Sequence, residues 1–390
     1  GVLPNGKPVV VNSDGTVSAV DGPPDPTVYV NGTVAGTGSA YDSNSEKTVI
    51  VYNDGTNGYK GTAVVVTVSG KSLSFGTPVI YETSGSTGST IAVFESNSNK
   101  VVVFYADAGN SNYGTARVGT ISGTSISFGT AVVFASSTTS ALAGAFDSNL
   151  NKIVIAGNMQ AKGQALVGTV SGTDISFGSA AIYESSNATF NSVVFDSNSN
   201  KTVIAFQDDN DGGDGKAVVA TVSGTNISFG SQAEFTTDNA VQVHATFDSS
   251  SNKILIVWTS YPAYAAKAVV ATVSGTSISY GTVPSSFADA RDLTTTYNSA
   301  ANKHILFFQP KDSPYYGTVV QATVSGTNVS FSSASALNDY QSSGSMSSSY
   351  DSVQQKVVLN FKKTVGSAVQ IASVYTDVAA NLTAENYIGM

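Results

Sequence analysis

The sequence of 390 residues contains no cysteine, which removes disulfide bonds and thiolate metal sites from consideration. Charged residues are sparse at 12%, only two of the basic ones are arginine (Arg117 and Arg291), and the formal net charge is −9. A protein that neutralises phosphates needs a basic cluster, and this chain has none, so an electrostatic nucleic-acid binder is excluded. No apolar run reaches the roughly 18 residues of a helical membrane span. The opening GVLPNGKPVVV lacks the charged region and apolar core of a signal peptide. Histidine occurs twice (His244, His304) and tryptophan once (Trp258). Two isolated histidines, no thiol and no nucleophile-elbow motif leave little to build a catalytic centre from.

What is present is a repeat. A polar tag recurs seven times, as YDSNSEK (Tyr41–Lys47), FESNSNK (Phe94–Lys100), FDSNLNK (Phe146–Lys152), FDSNSNK (Phe195–Lys201), FDSSSNK (Phe247–Lys253), YNSAANK (Tyr297–Lys303) and YDSVQQK (Tyr350–Lys356). Successive tag lysines are 53, 52, 49, 52, 50 and 53 residues apart. Each tag follows a short run ending in an aromatic and precedes an apolar run such as VVVFY, so it reads as a hairpin turn between two strands. Asp42, Glu95, Asp147, Asp196, Asp248, Asn298 and Asp351 then have a structural task, bonding to the turn backbone. The tag lysines lay their stems on the strand edge and offer their amines to water or nearby acids.

Two further strands follow in each unit, illustrated by GTARVGTIS and SISFGTAVVF, with a Ser-Gly turn between them at Ser69-Gly70, Ser122-Gly123, Ser171-Gly172, Ser223-Gly224, Ser274-Gly275 and Ser325-Gly326. Six such turns serve seven tags, and Ser13–Ser18 resembles the missing turn and strand. The expectation is an all-β, seven-bladed β-propeller with four antiparallel strands per blade, over residues 1–380, in which an N-terminal strand completes the last blade. Residues 381–390 are a tail or the start of a following segment, and Gly1 and the ending at Met390 suggest a piece of a longer polypeptide. An open solenoid or a string of sandwich domains leaves the split seventh unit unexplained. Small residues in the first strands, as in GTGSAY and LAGAF, suit convergence on an axis.

A ring of such units has two rims. One carries the repeated tags and Ser-Gly turns. The other carries loops that differ from unit to unit, where recognition has room to vary. Several present aromatics, and Trp258, Tyr261, Tyr264, Tyr315, Tyr316, Tyr59 and Tyr113 are candidates for stacking on a sugar or a protein surface, or else merely cover loop edges. In Asp208–Asp214, Asp208, Asp209, Asp211 and Asp214 crowd oxygens around glycines, as Ca²⁺ requires, but without the closing Glu of an EF-hand; a solvated acidic loop is the other reading. No other cofactor is expected. The first strands offer mostly Gly, Ala, Ser and Thr to the axis, so paired carboxylates for glycoside hydrolysis are not expected there.

The stretch LPNGKPVVVNSDGTV, the FDSNSNK…GTAVVxTVSGTSISFG units over residues 41–331 and the ending NLTAENYIG resemble repetitive structural proteins of marine bacteriophages, especially tail-fibre-like or other appendage proteins of cyanophages. The resemblance implies a non-enzymatic virion or extracellular module whose partners are other virion proteins or a host-surface glycan. It carries over no catalytic residue. Outside a virus, the same features fit a carbohydrate-binding propeller. A polysaccharide hydrolase or lyase is the third reading. The six asparagine sequons, at Asn31, Asn187, Asn200, Asn226, Asn328 and Asn381, would matter only in a secretory host.

Overall fold

The computed structural model describes residues 9–11, 17–19, 27–70, 72–365 and 368–377. Among them the chain is antiparallel β throughout, broken only by turns and three short 3₁₀ turns, and no helix is long and apolar enough to cross a membrane.

β1 (Val9–Val11) and β2 (Val17–Ala19) form a hairpin of their own, and β3 (Thr27–Asn31) follows. β4 (Val34–Asp42), β5 (Lys47–Asp54), β6 (Lys60–Ser69) and β7 (Ser72–Phe75) then pair in order, and β8 (Val79–Glu82) returns to the other half of the β6 edge. The pattern repeats in β9 (Ser86–Glu95), β10 (Lys100–Asp107), β11 (Tyr113–Ser122) and β12 (Ser125–Phe128). β13 (Val132–Asp147) pairs with β11 at its start and with β14 (Lys152–Met159) at its end, so one strand finishes a unit and opens the next. It is followed by β15 (Lys162–Ser171), β16 (Asp174–Phe177) and β17 (Ala181–Glu184), then by β18 (Ala188–Asp196), β19 (Lys201–Asp208), β20 (Asp214–Ser223), β21 (Asn226–Phe229) and β22 (Ala233–Thr236). β23 (Asn239–Asp248), β24 (Lys253–Tyr261), β25 (Ala265–Ser274) and β26 (Ser277–Tyr280) precede β27 (Ala288–Asn298), β28 (Lys303–Pro310), β29 (Tyr316–Ser325) and β30 (Asn328–Phe331). The last group is β31 (Ser335–Asp351), β32 (Lys356–Val365) and β33 (Ala368–Asp377), whose free edge is taken by β3, Thr27 lying opposite Ser373.

An N-terminal strand therefore does complete the last group, but it is Thr27–Asn31 and not Val17–Ser18, which is occupied by β1. The rest of the Ser13–Ser18 stretch and residues 381–390 lie outside the described residues. The first strands touch in chain order, β4 on β9, β9 on β13 and so on to β31, and β31 touches β4.

The apolar core lies in layers between successive units. The second strand of each unit is covered on both faces, and so reads as a continuous apolar run such as TVIVYN in β5 or ILIVWT in β24. One layer joins Val203, Ala205 and Val219 to Ile254, Ile256 and Trp258 across neighbouring units. β3 sits between two layers, with Val28 against Phe307 and Phe361 on one side and Tyr29 and Val30 against Ile50 and Tyr52 on the other. Rings interlock at the boundaries: Tyr81 meets Tyr105 and Phe128, Tyr183 meets Phe206 and Phe229, and Phe235 meets Trp258 and Tyr280 at 5.1 and 6.0 Å.

The outer strand SISFGTAVVF, read as one, is two. It breaks after the Phe, where Gly76, Gly129, Gly178, Gly230 and Gly281 each donate a backbone N–H to the third strand at 2.8–2.9 Å. The break lets the next unit dock, because the Thr carbonyl of its Ser-Gly-Thr turn occupies the place of the missing side chain. A Cβ on Gly76 would stand 1.8 Å from Thr124 O, and one on Gly178 1.9 Å from Thr225 O.

On the tag rim, the tag acids face inward. Asp196 Oδ1 accepts from the backbone N–H groups of Asn198 (2.9 Å) and Ser199 (3.1 Å), and Asp42, Glu95, Asp147, Asp248 and Asp351 make the same kind of bonds. Asn298, the odd copy, accepts from Ala301. The tag lysines differ from expectation, since Lys100, Lys152, Lys201 and Lys303 donate to the Thr directly opposite on the third strand (Thr120, Thr169, Thr221, Thr323) and not to acids. Directly opposite residues on paired strands are within a side chain's reach, and the tag acids are already saturated by the turn.

Candidate functional site

The first strands enter from the loop rim, and each is interrupted near its start by a bulge. The register skips between Ala35 and Thr37, Ser140 and Ala143, Thr189 and Ser192, Val241 and His244, Ala290 and Asp292, and Ser343 and Ser347. Several bulge residues are left-handed without being glycine: Ala141 (φ 50°), Phe190 (46°), Gln242 (54°) and Ser345 (50°). Each costs on the order of 1 kcal/mol and persists only where the surroundings hold it. Here the surroundings are the neighbouring first strands. Ser89 Oγ accepts from Ala141 N (3.0 Å), Asn191 Nδ2 donates to Ala141 O (3.0 Å) and Ser192 Oγ accepts from Ala245 N (2.8 Å). Asp292 Oδ2 accepts from Gly344 N (3.0 Å), and Thr37 Oγ1 donates to Ser345 O (2.7 Å), so the last first strand is stitched to the earliest.

The bulges open a cavity of about 640 Å³ on the axis, to which every unit's first strand contributes. Its polar wall includes Asn191, Gln207 and Gln242, and its apolar wall includes Ile91, Leu142 and Phe190, the last 36% exposed. Titratable groups also reach it, unlike the expectation of a wall of small residues. Burial raises the Asp292 carboxyl above its ordinary value, against the pull of the Gly344 N–H and of the Lys362 and Arg291 charges. Burial likewise pushes His244 down to about 4, opposed by a hydrogen bond to the Leu293 backbone. Asp209 accepts from Thr189 Oγ1 at 2.9 Å. Such a wall presents the Gln242 amide and one aromatic face in a volume that suits a small ligand.

The aromatic candidates separate. Trp258 is no part of a surface patch: it is 0% exposed in the middle of β24, against Phe235. Its position is the one that carries the interlocking ring between units, which is why a second-strand aromatic goes inward. Tyr261 (48% exposed) and Tyr264 meet edge to face at 5.6 Å, and the rings of Tyr264 and Tyr315 both lie near the Arg291 guanidinium. Tyr316 opens β29 opposite Gln341. Tyr59 (47% exposed), in a turn of the first unit, and the half-buried Tyr113, which opens β11, join no ring of that group.

The acidic loop is also divided. Asp208 is buried, caps a 3₁₀ turn by accepting from Asn210 N, and shares the Lys216 ammonium with Asp211 at 2.8 and 2.7 Å. Burial works to raise Asp208, and the bonds from Lys216, Asn210 and Ser186 outweigh it and hold the carboxyl low. Asp209 turns to Thr189. The acids that do converge are Asp211, Asp214 and Glu234, within 4.8 Å of one another at the surface. Glu234 lies too far along the chain for the loop's spacing to have pointed to it. His304, the other histidine, is fully buried between two units, with Nδ1 2.7 Å from Thr246 Oγ1 and Nε2 3.7 Å from Asp248.

No protein-family model matches the sequence, and no curated protein matches it either. Solved structures do resemble it. The NanB sialidase from Streptococcus pneumoniae aligns with a TM-score of 0.51 at 10% identity, over 94% of this chain and 72% of that one. AofleA from Arthrobotrys oligospora aligns at 0.52 and 9%, over 79% and 89%. A protein from Lactobacillus plantarum aligns at 0.57 and 11%, over 84% and 90%. At these identities the likeness speaks to the fold, which is β-propeller-like.

Proposed function

We propose that this chain is a seven-bladed propeller that binds a saccharide without turning it over, in the axial cavity and along the loop rim around it. The observation that carries the reading is the cavity wall, where the Gln242 amide stands beside the exposed face of Phe190, and the Asn191 and Gln207 amides are held in place by Tyr183, Ala141, Ala188, Thr189 and Asn239. Fixed amides with one aromatic face match the alternating C–H and O–H surface of a pyranose. The fold likeness to a sialidase is compatible with a saccharide ligand. The blade count rests on the strand pairings and on the contact of β31 with β4. A glycan array followed by calorimetry tests the reading, with Phe190→Ala and Gln242→Ala expected to weaken binding at least tenfold. Absence of saccharide binding, or binding that ignores both substitutions, overturns it.

A hydrolase is the second reading, favoured by the raised carboxyl of Asp292 on the cavity wall. The same carboxylate holds the Gly344 N–H across a unit boundary, a structural duty that keeps it from moving freely as an acid or nucleophile. Release of a chromophore from aryl glycosides that is lost in Asp292→Asn would decide for the hydrolase. The resemblance to phage appendage proteins extends the binding reading to a host-surface glycan as the ligand and to a virion or extracellular setting. Antibody labelling of particles that encode this chain tests that extension.

A further inference from the structure

Beside the cavity, the loop rim carries a cationic and aromatic cluster built from two neighbouring loops. Arg291 opens the stretch that places Asp292 and Leu293 in the cavity wall, and its own side chain is exposed. Its guanidinium carbon lies 5.6 Å from the ring centroid of Tyr264 and 5.7 Å from that of Tyr315. Both tyrosines are held in the left-handed region (φ 62° and 61°), which fixes where their rings leave the backbone. Arg291 Nε donates to Lys311 O at 3.1 Å, and the Lys311 ammonium donates to Ala263 O while lying 5.9 Å from the Tyr264 centroid. The arrangement ties the guanidinium through Nε, and no hydrogen bond among the described residues is made by its two Nη groups.

Two other cations of this rim are neutralised. Lys216 is shared by Asp208 and Asp211, and Lys267 pairs with Asp238 at 2.6 Å. Among the described residues neither Arg291 nor Lys311 forms an ion pair, although Asp289 and Asp312 stand in the same loops. An oriented guanidinium is a fork for two oxygens of one anion, and the rings beside it offer faces for sugar C–H groups.

We propose that the saccharide bound by this rim is acidic, its carboxylate or sulfate ester seated on Arg291 between Tyr264 and Tyr315. The proposal rests on the saccharide reading and adds the class of sugar. With a net charge of −9 the whole molecule repels an anionic ligand at long range, so recognition depends on the short-range fork.

The test measures binding of the whole chain, at low and high salt, to a heparin-derived hexasaccharide, to a galacturonate hexamer without sulfate, and to neutral maltohexaose. At least one acidic oligomer is expected to bind tenfold or more tighter than the neutral one, and the two acidic arms separate sulfate from carboxylate. Arg291→Gln is expected to abolish that preference with an unchanged melting temperature. Arg291→Lys, which keeps the charge and loses the fork, is expected to recover less than half of it. Phe190→Ala should lower binding of every oligomer that binds. Equal binding of acidic and neutral oligomers, an acidic preference that survives Arg291→Gln, or no binding at all overturns the proposal. Acidic binding that is lost with Arg291→Gln but untouched by Phe190→Ala sustains it and instead removes the cavity from the saccharide reading.

Discussion

The two rims are made by the same strands and use their residues in opposite ways. On the tag rim the same chemistry recurs unit after unit and is spent internally: acids bond their own turns, lysines bond the opposite threonine, and Ser-Gly-Thr carbonyls dock on the glycine of the preceding unit. On the loop rim the loop sequences differ from unit to unit, though Asp54, Asp107 and Asp208 each cap the same kind of 3₁₀ turn, and further partners come from the neighbouring strand or loop, as Asp292 does for Gly344 and Tyr264 for Arg291. Repetition in this chain marks what the units need from each other, and departure from it marks where the proposed ligand would be met.

The comparison breaks most readily at the docking glycines. Gly178→Ala places a methyl against the Thr225 carbonyl and should destabilise by about 3 kcal/mol, read from the urea midpoint. Gly224→Ala, in the turn itself, has open space around the new methyl and a left-handed backbone (φ 63°), and should cost only about 1 kcal/mol. Equal losses would mean that the carbonyl contact does not hold the units together.

Acid acts on one boundary from both rims, because both histidines bridge the same pair of units. His304 contacts Thr246 and Asp248 on the tag side, and His244 contacts the Leu293 backbone at the cavity. Burial lowers the folded-state affinity of both for protons, for His304 despite Asp248. The stability gained by keeping His244 neutral is complete above the unfolded value of about 6.5 and is lost as pH falls towards about 4, up to about 3 kcal/mol in all. Urea midpoints between pH 7.5 and 4.5 should therefore fall, and His244→Gln should flatten the slope; an unchanged slope would count against a neutral buried ring.

A smaller loss follows from Asp196→Ala, which strips the Asn198 and Ser199 N–H groups of their acceptor and should cost about 1–2 kcal/mol by thermal or urea unfolding. Least affected is Arg291→Gln on the loop rim, expected within about 0.5 kcal/mol of the parent because the side chain is exposed. A loss as large as that of Asp196→Ala would assign Arg291 to the scaffold.

The repeating architecture was legible because its signals are local: a tag acid and the backbone it bonds are two or three residues apart. The docking glycines were equally visible, standing after SLSF, SISF, DISF, NISF and SISY in successive units, yet their partner lies 44 to 48 residues away and composition does not point to it. The cavity was hidden for a different reason. Ala141, Phe190 and Gln242 are not residues that announce a left-handed bulge, and only the neighbouring strands impose it. Trp258 misled because WTSYP reads as the frayed end of a strand, while the ring belongs to the layer between units. The closing strand was misplaced by one segment, since VSA and TVYVN are equally suited to a strand and only the ring-packing of Tyr29 against Tyr52 and Phe75 distinguishes them.

The pairing of β3 with β33 also sets a timetable. β3 has its partner about 340 residues further along, so it waits through the synthesis of every intervening unit before its edge is covered. During that interval the units can stack one on the next as they appear and Tyr29 and Val30 can pack on β5, while Val28 and the unpaired edge of β3 stay open to any competing strand. The last step of folding is then a long-range search, and a partner that offered the waiting strand an alternative edge would trap the nascent chain open.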